Sequence, residues 1–375
     1  MNNHYDFLVI GAGPGGLLAA LTLLESDKRY SIALVDRRNP WTEPVACAEA
    51  VHRGKLEALV PRLDPAWIRT VIDGVEFVAP NRTRVKFVKR GSGIIINRAL
   101  MHKGLAEECV RRGAHCNFST RVKALSRYEE GYRTVNIEGD STGALRAKVV
   151  IDCSGPGKGF ARDEDIVQGD FDLEPAFFGI VRGITYPVNY IQMFFGTCYA
   201  PGGYAWLFPR DGRTANIGLV IGNKFKKTSP PKKLFSHFLK EEYPGAEIEH
   251  MRGGVIACGH SPRPFAVHNL FKAGDAASMV NPISRAGVTE AMQGGRLAAE
   301  AALRVIELVS EREKRPSYRS YKKQWESMYG KNNLRLHRAK PVFSDIDDSV
   351  FNRSADRLAR LPQEKLTMGR IFLTT

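Results

Sequence analysis

The sequence predicts an α/β protein: a Rossmann-type dinucleotide-binding domain, an inserted antiparallel β-sheet domain and a helical C-terminal region. Three observations carry this expectation. The stretch 6–16, DFLVIGAGPGG, joins an apolar strand to a glycine-rich turn and a helical run. Glycine-containing turns recur after two later strand-like segments, at Gly155 to Gly159 and at Gly274-Asp275. Between them, from Phe177 to Ile221, short aromatic and β-branched segments are punctuated by Gly and Pro, the pattern of antiparallel sheet.

The first element is an apolar run, Phe7 to Ile10, that reads as a buried strand. Gly11, Gly13 and Gly16 follow at G-x-G-x-x-G spacing before the helical run Leu17 to Leu24. Gly11 permits the tight turn, Gly13 lets backbone N–H groups approach a pyrophosphate, and Gly16 lets helix and strand pack closely. The helix N-terminus adds partial positive charge. A second apolar segment, Ser31 to Val35, ends in Asp36, about 20 residues past the glycines, where an acid accepts hydrogen bonds from ribose hydroxyls.

Arg37 to Pro40 reads as a loop, and a less patterned stretch containing Pro44 to Glu49 follows. Alternation from Val71 to Val88 predicts a hairpin around Pro80-Asn81, and Arg98 to Arg112 a helix stopped by Gly113. His115 to Cys153 reads as a β-meander. Its last strand opens into Ser154 to Gly159, which is no P-loop, because Gly159 rather than Ser or Thr follows Lys158. Thr228 to Pro231 reads as a linker, Lys232 to Tyr243 as a short helix, Leu270 to Ala273 as a strand and Val288 to Val309 as a long helix. If the strands before the three glycine turns share one parallel sheet, all three turns gather at its carboxyl edge.

At 375 residues and 43% hydrophobic content the chain buries a large core and is long enough for two domains. Its net charge of +15, from 55 Lys and Arg against 40 Asp and Glu, favours an anionic partner. The six cysteines form no C-x-x-C pair, which suggests neither a metal site nor a disulfide framework and fits a reducing cytoplasm. The N-terminus lacks a basic leader. From Arg312 to Lys340 ten Lys or Arg residues face two acids, and Tyr318, Tyr321, Trp325 and Tyr329 fall on one helical face. That stripe either packs on the body of the protein or lies on an anionic membrane surface.

On these residues the chain resembles the FAD-dependent oxidoreductases of the p-hydroxybenzoate hydroxylase fold and, among them, the geranylgeranyl reductases, up to about Val309. The general signature is carried by Gly11-x-Gly13-x-x-Gly16 with Asp36, by Arg98 and by Gly274-Asp275; Asp152-Cys153-Ser154-Gly155 stands where the family usually has Asp-Gly. Tyr204-Ala205-Trp206-Leu207-Phe208-Pro209 looks like the Y-x-W-x-F-P motif of the lipid tunnel, and Cys47-Ala48-Glu49 like the cysteine loop beside the flavin. The resemblance implies that FAD is held by Gly11, Gly13, Pro14, Gly15, Gly16, Asp36, Arg37, Cys47, Ala48, Arg98, Val122, Gly155, Gly274, Asp275, Pro282, Ala286, Gly287 and Val288. It places Cys47, Tyr204 and Trp206 at the catalytic centre.

The implied reaction is saturation of isolated C=C bonds in an isoprenoid lipid or polyprenyl diphosphate. An isolated alkene is a poor hydride acceptor, so one carbon must be protonated as the other takes hydride, a role open to Cys47 or to a water. Lys224, Lys226, Lys227, Lys232 and Lys233 either hold a phosphate or form a solvated face. No second G-x-G-x-x-G holds NADPH, so the electron donor is a transiently docked NADPH or a ferredoxin. Two alternatives stay open: an FAD-dependent monooxygenase, although the halogenase motif W-x-W-x-I-P is absent, and a flavoprotein binding nucleic acid through its basic C-terminal region, although it carries no RNA-binding module. The expected division is a discontinuous FAD-binding domain (1–72, 98–165, 262–309), a substrate β-sheet domain (73–97, 166–261) and a basic helical region (310–375), in a cytoplasmic or peripheral membrane protein.

Overall fold

A computed structural model of the chain describes residues 3–39, 45–157 and 159–367. Pro40 of the expected loop, Pro44 of the less patterned stretch and Lys158 of the turn after Cys153 lie outside the described residues. The strands are β1 (His4–Ile10), β2 (Ile32–Val35), β3 (Ala50–His52), β4 (Ile68–Val78), β5 (Arg84–Ile96), β6 (His115–Asn117), β7 (Thr120–Leu125), β8 (Arg133–Gly139), β9 (Gly143–Asp152), β10 (Leu173–Arg182), β11 (Tyr190–Phe194), β12 (Tyr204–Pro209), β13 (Thr214–Val220), β14 (Glu247–Ala257), β15 (Ala266–Val267) and β16 (Leu270–Lys272). The α-helices are α1 (Pro14–Leu24), α2 (Arg53–Glu57), α3 (Arg98–Arg111), α4 (Pro231–Glu242), α5 (Val288–Val305), α6 (Glu311–Trp325), α7 (Lys331–Ser344) and α8 (Asp348–Ala359).

The chain divides into two compact units. The first comprises Met1–Glu43, Ala99–Leu173 and Ala257–His337. Its sheet runs β15-β16-β9-β1-β2-β6, with β7 and β8 joined through β9. Strands β16, β9, β1, β2 and β6 pair in parallel, so the strands before all three glycine turns do share one sheet. Strand β1 is buried from Phe7 to Ile10 and β2 throughout, as apolar runs in a sheet covered on both faces must be. Helices α1 and α5 pack through glycine: a Cβ on Gly295 would stand 1.9 Å from the Gly15 carbonyl oxygen.

The meander expected over 115–153 is present in its three strands, β7, β8 and β9, and differs only in its first residues. Strand β6 is a parallel edge strand beside β2, and only β7, β8 and β9 form an antiparallel ribbon. Three residues are too few to show the difference between a short parallel edge and the start of a hairpin.

The aromatic stripe of α6 belongs to the core of this unit. Tyr318, Tyr321 and Trp325 are buried, and Tyr321 is fully enclosed. The Tyr321 hydroxyl donates to the Lys272 carbonyl at 2.7 Å, and the Tyr318 hydroxyl donates to Asn269 Oδ1 at 3.0 Å. Burial pushes the Tyr321 phenol well above its ordinary value. A membrane-facing stripe is thereby excluded for these rings. Tyr329, half-buried on a π-helical turn, stacks on Trp325 at 4.7 Å.

The second unit comprises Pro44–Arg98, Glu174–Ile256 and Arg338–Thr375. Its sheet runs β14-β10-β13-β12-β11-β4-β5-β3. From β10 to β11 and from β4 to β3 neighbouring strands pair antiparallel, and β11 pairs with β4 in parallel. The hairpin expected over 71–88 extends on both sides, from Ile68 to Ile96. Strands β3 and β14 went unread because β3 is three residues long and β14 is exposed along most of its length. By this division residues 45–72 fall in the sheet unit, and the segment beyond 310 is shared out at His337. Strand β12 alternates as a pleated strand must. Ala205 and Leu207 pack toward Phe235, Phe238 and Leu239 of α4, while Tyr204, Trp206 and Phe208 form the opposite face with Phe178 and Ile180.

Candidate functional site

In the first unit the site is a cradle of main chain at the carboxyl edge of the parallel sheet. Gly11 has φ 98°, and a Cβ there would stand 2.4 Å from the Cys153 carbonyl oxygen, so β1 and the turn after β9 close on one another only with glycine. Gly13, by contrast, faces open space, as does Gly155 on the neighbouring turn. Helix α1 starts at Pro14 with Gly13 as its cap, without a side-chain cap or an acid in its first turn. Its first N–H groups therefore point their partial positive charge at whatever lies over Gly13. Such a glycine-walled, uncapped helix start fits a pyrophosphate.

Asp36 follows β2 as expected. Its carboxylate accepts the Ala12 N–H at 2.5 Å and the Arg38 N–H at 2.7 Å, which ties the loop after β2 to the glycine turn. The Thr120 N–H donates to the Asp36 carbonyl at 2.8 Å and brings β7 alongside. Val122 is buried on β7 opposite Ile137, and Arg37 is exposed, lining a shallow pocket with Arg38, Ser119 and Arg121.

On the far side, β16 runs into a 3-10 turn, Gly274–Ala277, that carries Asp275. A Cβ on Gly287 would lie 3.9 Å from Asp275 Oδ1, so the start of α5 adjoins that carboxylate. The loop between them is pinned by Asn281, whose Oδ1 accepts the Ile283 and Ser284 N–H groups at 3.0 and 2.9 Å. Pro282 is buried, Gly287 and Val288 are half-buried, and Ala286 is exposed.

The turn after β9 has its own support. Asp152 is fully buried; its Oδ1 accepts the Ser154 N–H at 3.0 Å, and its Oδ2 lies 3.6 Å from Lys272 Nζ. Lys272, equally enclosed, donates to Gln168 Oε1 at 2.8 Å and to the Phe160 carbonyl at 3.0 Å. Burial pulls the Lys272 amine below its ordinary value, against the pull of Asp152. Asp152 therefore shapes the turn from beneath, which gives this departure from Asp-Gly a structural part.

The second unit holds the aromatic face and the cysteine loop. Tyr204 and Trp206 are buried, with the half-buried Phe195 6.3 Å from Tyr204. A buried asparagine that the sequence did not single out ties them to the loop. The Trp206 indole N–H donates to Asn216 Oδ1 at 2.9 Å, and Asn216 Nδ2 donates to the Cys47 carbonyl at 2.8 Å. The half-buried Cys47 accepts the Glu49 N–H on Sγ at 3.1 Å. Glu49, with φ 72°, receives Arg210 Nε at 2.8 Å, a buried ion pair that anchors the other end of the loop. Ala48 packs against the same cluster as Tyr204 and Trp206. Arg98 is buried at the first turn of α3.

Sequence reasoning had no route to Asn216, Glu49 with Arg210, or Lys272 with Asp152, since each is a long-range pair. The one local hint at Asn216 is an amide inside the otherwise apolar run AIGLV, where a polar group must be satisfied. Of the lysines considered for phosphate, Lys224 is ion-paired with Asp345, and Lys226, Lys227, Lys232 and Lys233 are exposed.

The parallel sheet and its glycine cradle define a Rossmann-type protein built to take a dinucleotide, with a second, largely antiparallel sheet in its other unit. Comparison with known proteins makes this specific. Residues 172–256 match the geranylgeranyl reductase catalytic domain model, and residues 6–171 match the lycopene cyclase protein model. A digeranylgeranylglycerophospholipid reductase of Methanosarcina acetivorans is 30% identical over 98% of this chain and 92% of its own. That of Methanosphaerula palustris is 32% identical over 98% and 93%. A geranylgeranyl bacteriochlorophyll reductase-like structure from Thermoplasma acidophilum superposes with TM-score 0.89 at 21% identity, covering 100% of this chain and 96% of that one. A flavin-dependent halogenase has the same fold, with TM-score 0.71 at 17% identity over 99% of this chain and 69% of its own. The chain belongs to the digeranylgeranylglycerophospholipid reductase family of geranylgeranyl reductases.

Proposed function

We propose that this protein is an FAD-dependent reductase that saturates isolated C=C bonds in the geranylgeranyl chains of a glycerophospholipid. The observation that carries the reading is the aromatic face of β12, tied through Asn216 to the Cys47 loop, inside the segment that matches a geranylgeranyl reductase catalytic domain. The relatives' printed activity supports the lipid class.

In this reading Gly11 to Gly16 and Gly155 hold the pyrophosphate, Asp36 the ribose, and Gly274-Asp275 with Pro282 to Val288 the remainder of FAD. When bound, the flavin supplies the hydride that no side chain can. Tyr204, Trp206 and Phe208 offer an apolar wall for the chain, and their burial keeps water from the alkene. Asn216 and the Arg210–Glu49 pair fix the Cys47 loop, so that the thiol or a water beside it delivers the proton. The electrons come from NADPH or a ferredoxin. Among the described residues no helix is long and apolar enough to cross a membrane.

The test is anaerobic turnover of chemically reduced, FAD-loaded protein with digeranylgeranylglycerophospholipid, followed by mass spectrometry. Mass gains that match added hydrogen are expected. Products that form only with oxygen and carry an added oxygen atom would overturn the reading.

A further inference from the structure

Resting on the reductase reading, we propose that α8 holds the anionic head of the lipid, with the isoprenoid chain running from there along Phe195 toward Tyr204 and Trp206. It rests on a juxtaposition within the second unit. Phe77, Val78, Ala79 and Val85 of the β4–β5 hairpin form an apolar cleft with Phe195, Phe343, Phe351, Ala355 and Leu358. The inner end of this cleft continues into the aromatic face of β12. Phe351 stacks on Phe195 at 5.3 Å, Phe195 lies 6.3 Å from Tyr204, and Tyr204 lies 6.2 Å from Trp206. One ring row thus joins α8 to the face beside the Cys47 loop.

The outer end is cationic. Arg353 and Arg357 on one face of α8 and Arg360 at its C-cap, spaced i, i+4 and i+7, line a depression with Val350, Ser354 and Asp356. All three are exposed. Arg353 donates to Ser349 Oγ, and the Asp356 carboxylate is taken up by Thr83 and Asn81. Guanidinium groups match phosphate oxygens in geometry as well as charge. Ser354 lines both the cleft and the depression, so a phosphate on the arginines has its tail at the mouth of the cleft. The cleft itself is narrow, with a free volume of about 40 Å³ against the ~300–1,000 Å³ of ligand sites, so the half-buried rings of Phe343 and Phe351 must part for a chain to enter.

The test measures direct binding of two unreactive ligands in detergent micelles: the fully saturated diether lipid with a glycerol phosphate head and its neutral counterpart without phosphate. The variant Arg353→Glu/Arg357→Glu/Arg360→Glu should weaken the phosphate lipid tenfold or more and leave the neutral lipid unchanged. Ala355→Phe, which fills the cleft, should weaken both. The proposal is overturned if the wild-type protein binds the two lipids equally, if the triple variant weakens both or neither, or if Ala355→Phe changes neither. Loss of sedimentation with anionic vesicles without loss of phosphate-lipid affinity in micelles would assign the arginines to a bilayer surface instead. If both saturated lipids bind as expected but the unsaturated lipid gains no hydrogen in the anaerobic assay, the reductase reading fails and only the lipid-binding part of this proposal stands.

Discussion

Asn216 is the residue whose removal tests the second unit most sharply. It is fully buried on β13 and satisfies two groups at once, the Trp206 indole N–H at 2.9 Å and the Cys47 carbonyl at 2.8 Å. Asn216→Leu keeps the γ-branched shape in a somewhat larger side chain and removes the partner of both groups. An orphaned buried donor costs about 1–3 kcal/mol, and a carbonyl on a half-buried loop, which can turn to water, about 0.5–1 kcal/mol. The expected loss is therefore about 1.5–4 kcal/mol in urea unfolding. Trp206→Phe removes the indole N–H, so the double variant no longer orphans it. The double-mutant cycle should show a coupling of about 1–2 kcal/mol. Freed from its anchor, the Cys47 loop should also alkylate faster and kcat/KM should fall. Additivity within about 0.5 kcal/mol, with Cys47 alkylation unchanged, would refute the idea that Asn216 links the aromatic face to the loop.

Gly295→Ala places a methyl 1.9 Å from the Gly15 carbonyl oxygen, backbone against backbone, so α1 must move; a loss of about 1–3 kcal/mol is expected with weakened FAD retention, read from flavin absorbance after gel filtration. Arg133, with no exposed surface, makes two hydrogen bonds to Glu164 at 2.7 and 2.9 Å. Burial raises the Glu164 carboxyl, but the Arg133 hydrogen bonds and charge, with His268, outweigh it and hold it below the ordinary 4.5. The unfolded chain thus binds the proton first as pH falls, so this stability is complete above about pH 4.5 and is lost as pH drops through the lowered value; Arg133→Met should abolish that acid-side slope in the melting profile. Burial pushes the thiol of Cys109 to about 12, and raises that of the exposed Cys198 without closing it off, so iodoacetamide at neutral pH should label Cys198 and the half-buried Cys47 first, and the buried Cys109 only after unfolding. Labelling of Cys109 at the rate of Cys198 in folded protein would contradict that burial.

What the sequence exposed of the first unit is what is local. Strand, glycine turn, helix start and acid follow one another within about 30 residues, because the cradle is made of main chain and needs only residues that let main chain approach. The second unit's site is made of side chains from segments far apart. Asn216 reaches Cys47 across 169 positions and Arg210 reaches Glu49 across 161, and nothing in the local pattern of either partner announces the other. The Y-x-W-x-F-P strand was readable as a motif, yet the reason Trp206 fits is remote in the same way: a Cβ on Gly218 would stand 2.4 Å from the indole ring. Short strands such as β3 and β6 fall below the length at which period alone decides.

The basic C-terminal segment shows why charge counts along a chain mislead about surfaces. Its aromatic residues and its cations share a helix but not an environment, since a helical side chain's surroundings are set by its face. On α6 the rings turn inward and bond to Asn269 and Lys272, which takes them out of reach of any membrane. On α8 the inward residues Ala355 and Leu358 border the apolar cleft, while Arg353, Arg357 and Arg360 stay in water at its mouth. An amphipathic helix whose apolar face lines a cleft rather than a sealed core places opposite chemistries within one lipid's length. The net charge of +15 acts on binding through such local placement, because at physiological salt each charge is felt over only about 8 Å.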